Sequence, residues 1–75
     1  MDPQAAWDQM LRALACEEWS DVHQYAMALS TWLGRGGFPP KVIVDPPISD
    51  ALNGALARTA CEFALAQAFE GGFPP

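Results

Sequence analysis

An all-α fold is what this chain predicts, and three observations carry the prediction. Apolar residues recur at helical spacing through three stretches, and helix-starting and helix-ending residues bracket each of them. The one run of β-branched character, KVIV at 41–44, is four residues long and hemmed in by proline pairs, which limits it to a short edge strand or an extended strap. The expected architecture is an antiparallel helix hairpin and a long third helix, joined by a proline-flanked strap over 38–47. It forms a single small domain over 1–75.

The first helix is expected over about 3–17. Asp2 can accept orphan backbone N–H bonds as the N-cap, and Pro3 loses nothing at the first helical position. Trp7, Met10, Leu11 and Leu14 then share one face, with Asp8 and Arg12 a possible ion pair away from it. Ser20 or Asp21 can cap a second helix over about 21–33, on which Val22, Tyr25, Ala26, Leu29, Trp32 and Leu33 form a stripe. The turn around Glu18, Trp19 and Ser20 is short. The two helices should therefore lie antiparallel, with Trp7, Leu11 and Leu14 facing Val22, Leu29 and Leu33.

The pentapeptide GGFPP follows the second helix at 36–40 and returns at 71–75. Glycine reaches the left-handed conformation that ends a helix, an apolar residue after it folds back onto the last turn, and proline forbids continuation. Gly36, Gly37 and Phe38 in the first copy, and Gly71 and Gly72 in the second, are thus read as structural caps. Superposing the two copies sets Trp32-Leu33 against Gln67-Ala68, so the word is one stop signal used twice rather than the trace of a duplication.

Asp45-Pro46-Pro47 or Ser49 starts the third helix, expected over about 49–70. Leu52, Leu56, Ala60 and Phe63 lie on one face, with Asp50, Gly54, Arg58 and Glu62 opposite. Leu65 and Phe69 return on the charged side, which leaves the C-terminal half apolar on two sides and asks for contact beyond the hairpin. Leu65 and Phe69 are the candidate interface residues, with Phe73 and the turn residue Trp19 beside them, since aromatics are favoured anchors at protein interfaces.

A chain of 75 residues builds a marginal core, so help from a partner chain is expected. Hydrophobic residues make up 51% of it and charged ones 17%, which excludes a disordered tail and leaves apolar surface to be covered. The net charge is −5, and Arg12, Arg35, Lys41 and Arg58 stand singly, so nucleic acid is not an expected partner. The acidic N-terminus lacks the basic region of a signal peptide, and no apolar run is long enough to cross a bilayer. A cytoplasmic location, or a virion if the source is viral, is the expectation. Partners are expected to be protein: further copies of the chain or a larger assembly.

The segment 7–40 resembles a tetratricopeptide-type helix hairpin. Trp7 stands where that repeat has its first-helix tryptophan, and Trp19 takes the aromatic place before the second helix. Leu11 and Val22 stand where the repeat has small residues. The resemblance implies a helix hairpin used for protein contacts, and a single unit excludes a free-standing solenoid. The chain also resembles small helical proteins of bacteria and their viruses, a likeness that carries no activity with it.

Sites of chemistry are few. Cys16 and the sole histidine, His23, could form a nucleophile and base across the hairpin turn, but nothing in the spacing requires it, and no catalytic residue is expected. Glu17, Glu18 and Asp21 are read as a dipole-complementing turn rather than metal ligands. Gly34-Arg35-Gly36-Gly37 follows a helix and lacks the GK[ST] of a phosphate loop. Cys16 and Cys61 are expected as two buried thiols, with a bridge between them as the alternative. No cofactor is expected. The functional expectation is a non-enzymatic interaction or structural subunit that self-associates or docks on a larger assembly. A small adaptor presenting its FPP motifs is the alternative, with a minimal Cys/His enzyme behind both.

Overall fold

The computed structural model describes residues 1–71. Three helices make up the fold: α1 (Pro3–Ala15), α2 (Trp19–Gly34) and α3 (Asp50–Glu70), with no strand among the described residues. Asp2 starts α1, its carboxylate accepting from the backbone N–H groups of Gln4 at 3.0 Å and Ala5 at 3.2 Å. Ser49 starts α3 in the same manner, its Oγ accepting from the Leu52 N–H at 3.1 Å.

α1 stops two residues earlier than the sequence predicts. Glu17 adopts a left-handed φ of 55°, while its N–H donates to Leu14 O at 3.2 Å and that of Glu18 donates to Ala13 O at 3.0 Å. This is the Schellman pattern with glutamate in the place usually held by glycine. The turn is correspondingly tight, and α2 begins at Trp19 rather than Asp21, with Glu18 at the N-cap making no side-chain cap bond. Trp19 is therefore the first residue of a helix and not the exposed tip of a turn.

α2 closes with a second Schellman pattern, this time with the expected glycine. Gly36 has φ 83°, its N–H donates to Leu33 O at 3.1 Å, and the Gly37 N–H donates to Trp32 O at 2.9 Å. That last bond draws the Gly37 backbone onto the face of the Trp32 indole, where a Cβ would overlap the ring. The Trp32 Nε1–H donates to the Phe38 carbonyl at 2.8 Å, and the two rings meet edge to face with centroids 5.7 Å apart.

α2 is the middle helix: it packs along both α1 and α3, which scarcely touch each other. The core takes Trp7, Met10 and Ala13 from α1, Val22, Ala26, Leu29 and Leu33 from α2, and Ala57, Cys61, Ala64 and Ala68 from α3. Two expected faces are corrected here. Leu11 is exposed and Leu14 half-buried, because α1 is rotated so that Met10 and Ala13 point inward. On α3 the expected face splits: Leu52 and Phe63 are exposed, Leu56 is half-buried and only Ala60 packs against the core, while the buried stripe is Asn53, Ala57, Cys61, Ala64 and Ala68. Small side chains on that stripe let the α3 backbone approach α2 closely, and the bulk needed to fill the core comes from the other two helices.

The strap is fastened by side chains rather than by a ladder. Asn53, buried in α3, accepts through Oδ1 from the backbone N–H groups of Val42 at 2.9 Å and Ile43 at 3.2 Å. Gln4 of α1 accepts the Lys41 N–H at 2.8 Å. Pro40 is fully buried, and the chain turns at Val44–Pro47 through a cis Asp45–Pro46 bond before reaching Ser49.

Two stability outcomes follow from these contacts. Gly37→Ala must displace the Trp32 ring and is expected to cost about 1–3 kcal/mol, whereas Gly34→Ala, which meets nothing within 4 Å, should stabilise α2 by about 0.5–1 kcal/mol; urea unfolding of the pair reads both signs. Asn53→Ala leaves two strap N–H groups without their acceptor, at an expected cost of about 1–3 kcal/mol. Amide exchange at Val42 and Ile43 should accelerate in that variant before exchange in α2 does, and uniform acceleration would show that Asn53 does not hold the strap in particular.

Candidate functional site

The inversion of α3 defines the most distinctive surface of the molecule. With Ala57, Cys61, Ala64 and Ala68 turned inward, the helix presents Leu52, Phe63 and Phe69 to solvent at 46%, 59% and 63% exposure. At 100° per residue, exposed Ala55, Thr59 and Ala66 run along the centre of the outward face. Leu52, Leu56 and Phe63 flank that line on one side. Ala51, Arg58, Glu62 and Phe69 flank it on the other. The result is a low central track between two raised edges, one carrying Leu52, Leu56 and Phe63 with Gln67 and Glu70 at its C-terminal end, and one bearing the single cation of α3.

The four residues expected at an interface are distributed differently. Phe69 is on this outward face. Leu65 is half-buried and packs against the core, as Trp19 does from the start of α2. Gly71, the C-cap of α3, lies against the Trp19 indole so closely that a Cβ would overlap the ring. Phe73 lies outside the described residues. Phe63 was assigned by its spacing to the packed face; the structure gives it to solvent. Of the caps, Gly36, Gly37 and Phe38 sit as described above, Gly71 has a right-handed φ of −74°, and Gly72 lies outside the described residues.

Asn53 carried no signal in the sequence reading. Its only trace was its place at the head of a run of small residues spaced four, four, three and four apart, the spacing of a buried helical stripe.

The first FPP segment is used by the fold itself. Its Phe38 carbonyl is bonded to Trp32, Pro39 is half-buried and Pro40 fully buried, while the Phe38 ring meets Trp32 edge to face and keeps 66% exposure. Beside it an open cleft of about 450 Å³ runs between the loop and α3, with Leu33, Phe38, Pro39, Ala51 and the oppositely charged Asp50 and Arg58 among its walls.

Cys16 is exposed, contrary to its expected burial, while Cys61 is buried, and both thiols are free. A small cleft of about 170 Å³ beside Cys16 is lined by Gln9, Arg12, Ala13, Glu18, Asp21 and Tyr25. His23, half-buried on α2, is not part of it. Among the described residues no three His, Cys, Asp or Glu side chains gather where they could hold a metal ion, and no helix is long and apolar enough to cross a membrane. Comparison with protein-family models, with curated proteins and with solved structures finds no match for this chain.

Burial, with the Glu62 carboxylate adding to it, pushes the Cys61 thiol up from 9.0 to about 11. The folded state therefore holds its proton where the unfolded chain has released it. The stabilisation is complete below pH 9 and is lost as pH rises through about 11. Stability of the wild type should fall more steeply over that window than stability of Cys61→Ala. In the native protein at pH 8, a disulfide reagent should modify one thiol, Cys16, with Cys61 reacting only on unfolding.

Proposed function

We propose that this chain is a non-enzymatic interaction or structural subunit whose working surface is the outward face of α3, and that it self-associates through that face or docks by it on a larger assembly. A single observation carries the reading: α3 buries Ala57, Cys61, Ala64 and Ala68 while setting Leu52, Phe63 and Phe69 in solvent. Scattered exposed hydrophobics are ordinary on a small protein. Three large ones on the outward face of a single helix make an apolar surface that contact with a partner would remove from water.

The physical mechanism is apolar burial within an acidic setting. A net charge of −5 disfavours phosphate backbones and other acidic surfaces. Glu62 and Glu70 border the apolar track and restrict which partners can approach without a charge penalty. The adaptor reading, in which FPP segments serve as extended ligands, is weakened by the first copy, whose proline pair and Phe38 carbonyl are engaged within the fold.

The test is the Phe63→Glu/Phe69→Glu variant. Both positions are exposed, so helicity and unfolding free energy should stay within about 0.5 kcal/mol of wild type for each site. Light scattering across a concentration series should show a wild-type mass that rises above the monomer and a variant mass that does not. A variant that unfolds would show that the two rings belong to the monomer's own core, and the reading would fall.

A further inference from the structure

The outward face of α3 is complementary to itself, and from its register we infer that its occupant is a second copy of this chain, paired antiparallel about a twofold axis at the level of Thr59 and Ala60. The inference rests on the interaction reading above and deepens it by naming the partner. A twofold axis perpendicular to a helix pair leaves each flank facing the same flank of the other copy, so every contact must be made by residues on one side of the track.

Three pairings satisfy that condition with axis positions that agree to within about half a residue. On the apolar flank, Phe63 falls level with the partner's Leu56. On the mixed flank, Phe69 falls level with the partner's Ala51, a large side chain over a small one. On that flank too, Arg58 comes level with the partner's Glu62, and by symmetry Glu62 with the partner's Arg58. Arg58, Glu62, Phe63, Phe69 and Ala51 are all exposed and Leu56 half-buried, so no rearrangement of the core is needed to bring them together. Ala55, Thr59 and Ala66 along the centre allow the two backbones to approach, much as the inner stripe does against α2.

Charge selects this arrangement over the alternative. In a parallel pair each flank meets the opposite flank, so Arg58 and Glu62 would face the partner's Leu56 and Phe63 and gain no charge partner from the second copy. The area is modest. Two phenylalanines with 59% and 63% of their surface free offer about 250 Å² per chain, and with Leu52, Leu56 and the central alanines the contact stays at the lower end of specific interfaces, near or below about 800 Å² a side. A concentration-dependent dimer is expected rather than a permanent one.

The experiment uses the full chain in a Cys16→Ser background, with Ala55→Cys and Ala66→Cys made separately and folding checked by circular dichroism. Both alanines are exposed on the central line, and antiparallel pairing sets one beside the other across the axis. An equimolar mixture under mild oxidation should give mainly the mixed 55–66 disulfide. Arg58→Glu and Glu62→Arg should each weaken association several-fold, and the double exchange should restore it. Disulfides joining 55 to 55 and 66 to 66 would mean parallel pairing and overturn this inference while leaving the interaction reading intact. Association by light scattering without any covalent dimer would remove α3 as the contact and overturn both. A monomer mass at every concentration would exclude the second copy, and docking on a different assembly would be what remains of the interaction reading.

Discussion

Close approach of α3 to α2 is the constraint on which the rest of this fold depends. A helix that buries Ala57, Cys61, Ala64 and Ala68 brings almost no volume to the core, so its backbone must come near enough for the larger side chains of the other helices to fill the space. Val22, Leu29 and Leu33 from α2, with Trp7 and Met10 from α1, supply that volume. The ends of α2 repeat the theme with glycine. The Trp32 ring lies on the backbone of Gly37 and the Trp19 ring on that of Gly71, and in both places a methyl group would already be too much. Both GGFPP words thus contribute a glycine to a tryptophan of the same helix. In the first, the second glycine meets Trp32 after a left-handed turn at Gly36; in the second, the first glycine meets Trp19 from the helix cap.

Asn53 is the one polar member of the inner stripe, and it decides what the strap can be. Backbone N–H groups near a core need acceptors, and this strap has few to satisfy because Pro39, Pro40, Pro46 and Pro47 have none. Asn53 takes those of Val42 and Ile43, and Gln4 takes that of Lys41. With these three donors engaged by side chains, KVIV has no ladder left to offer within the chain, and its β-branched composition does not become a strand. The same bonds tie the N-terminal half of α3 to the end of the hairpin, which helps fix the rotation of α3 and with it the residues that face outward.

How much of this was legible in the sequence divides along the range of the interactions. Helix number, order and the cap at Asp2 were legible, and Ser49 was one of the two starts open for α3, because these depend on residues within one turn of each other. The end of α1 was not, because the left-handed residue that closes it is Glu17, which no propensity marks as a stop. The choice between the two faces of α3 was not legible from hydropathy, which favours burying Leu52, Leu56 and Phe63. Shape complementarity favours the smaller residues, and it acts between helices, where a one-dimensional pattern has no access. The exposure of Phe69 was legible because that residue broke the expected wheel. Phe63 was hidden by fitting that wheel, and Asn53 needed the path of the strap before its role could be seen.

The inverted helix also bears on how a chain with a net charge of −5 can meet a copy of itself. At long range two such chains repel, so in the proposed pair encounter would have to be rewarded at contact by burial of the Phe63 and Phe69 rings and by local relief of charge. Arg58 is the only basic residue of α3, and it stands one turn from Glu62 on the same flank. In an antiparallel pair each Arg58 gains the partner's Glu62, so two acidic residues of the contact are matched where a parallel pair would match none. Apolar burial is indifferent to direction, and phenylalanine rings would tolerate several registers. The lone arginine is not indifferent, and in the proposed pair it is the feature that would give an apolar contact its direction.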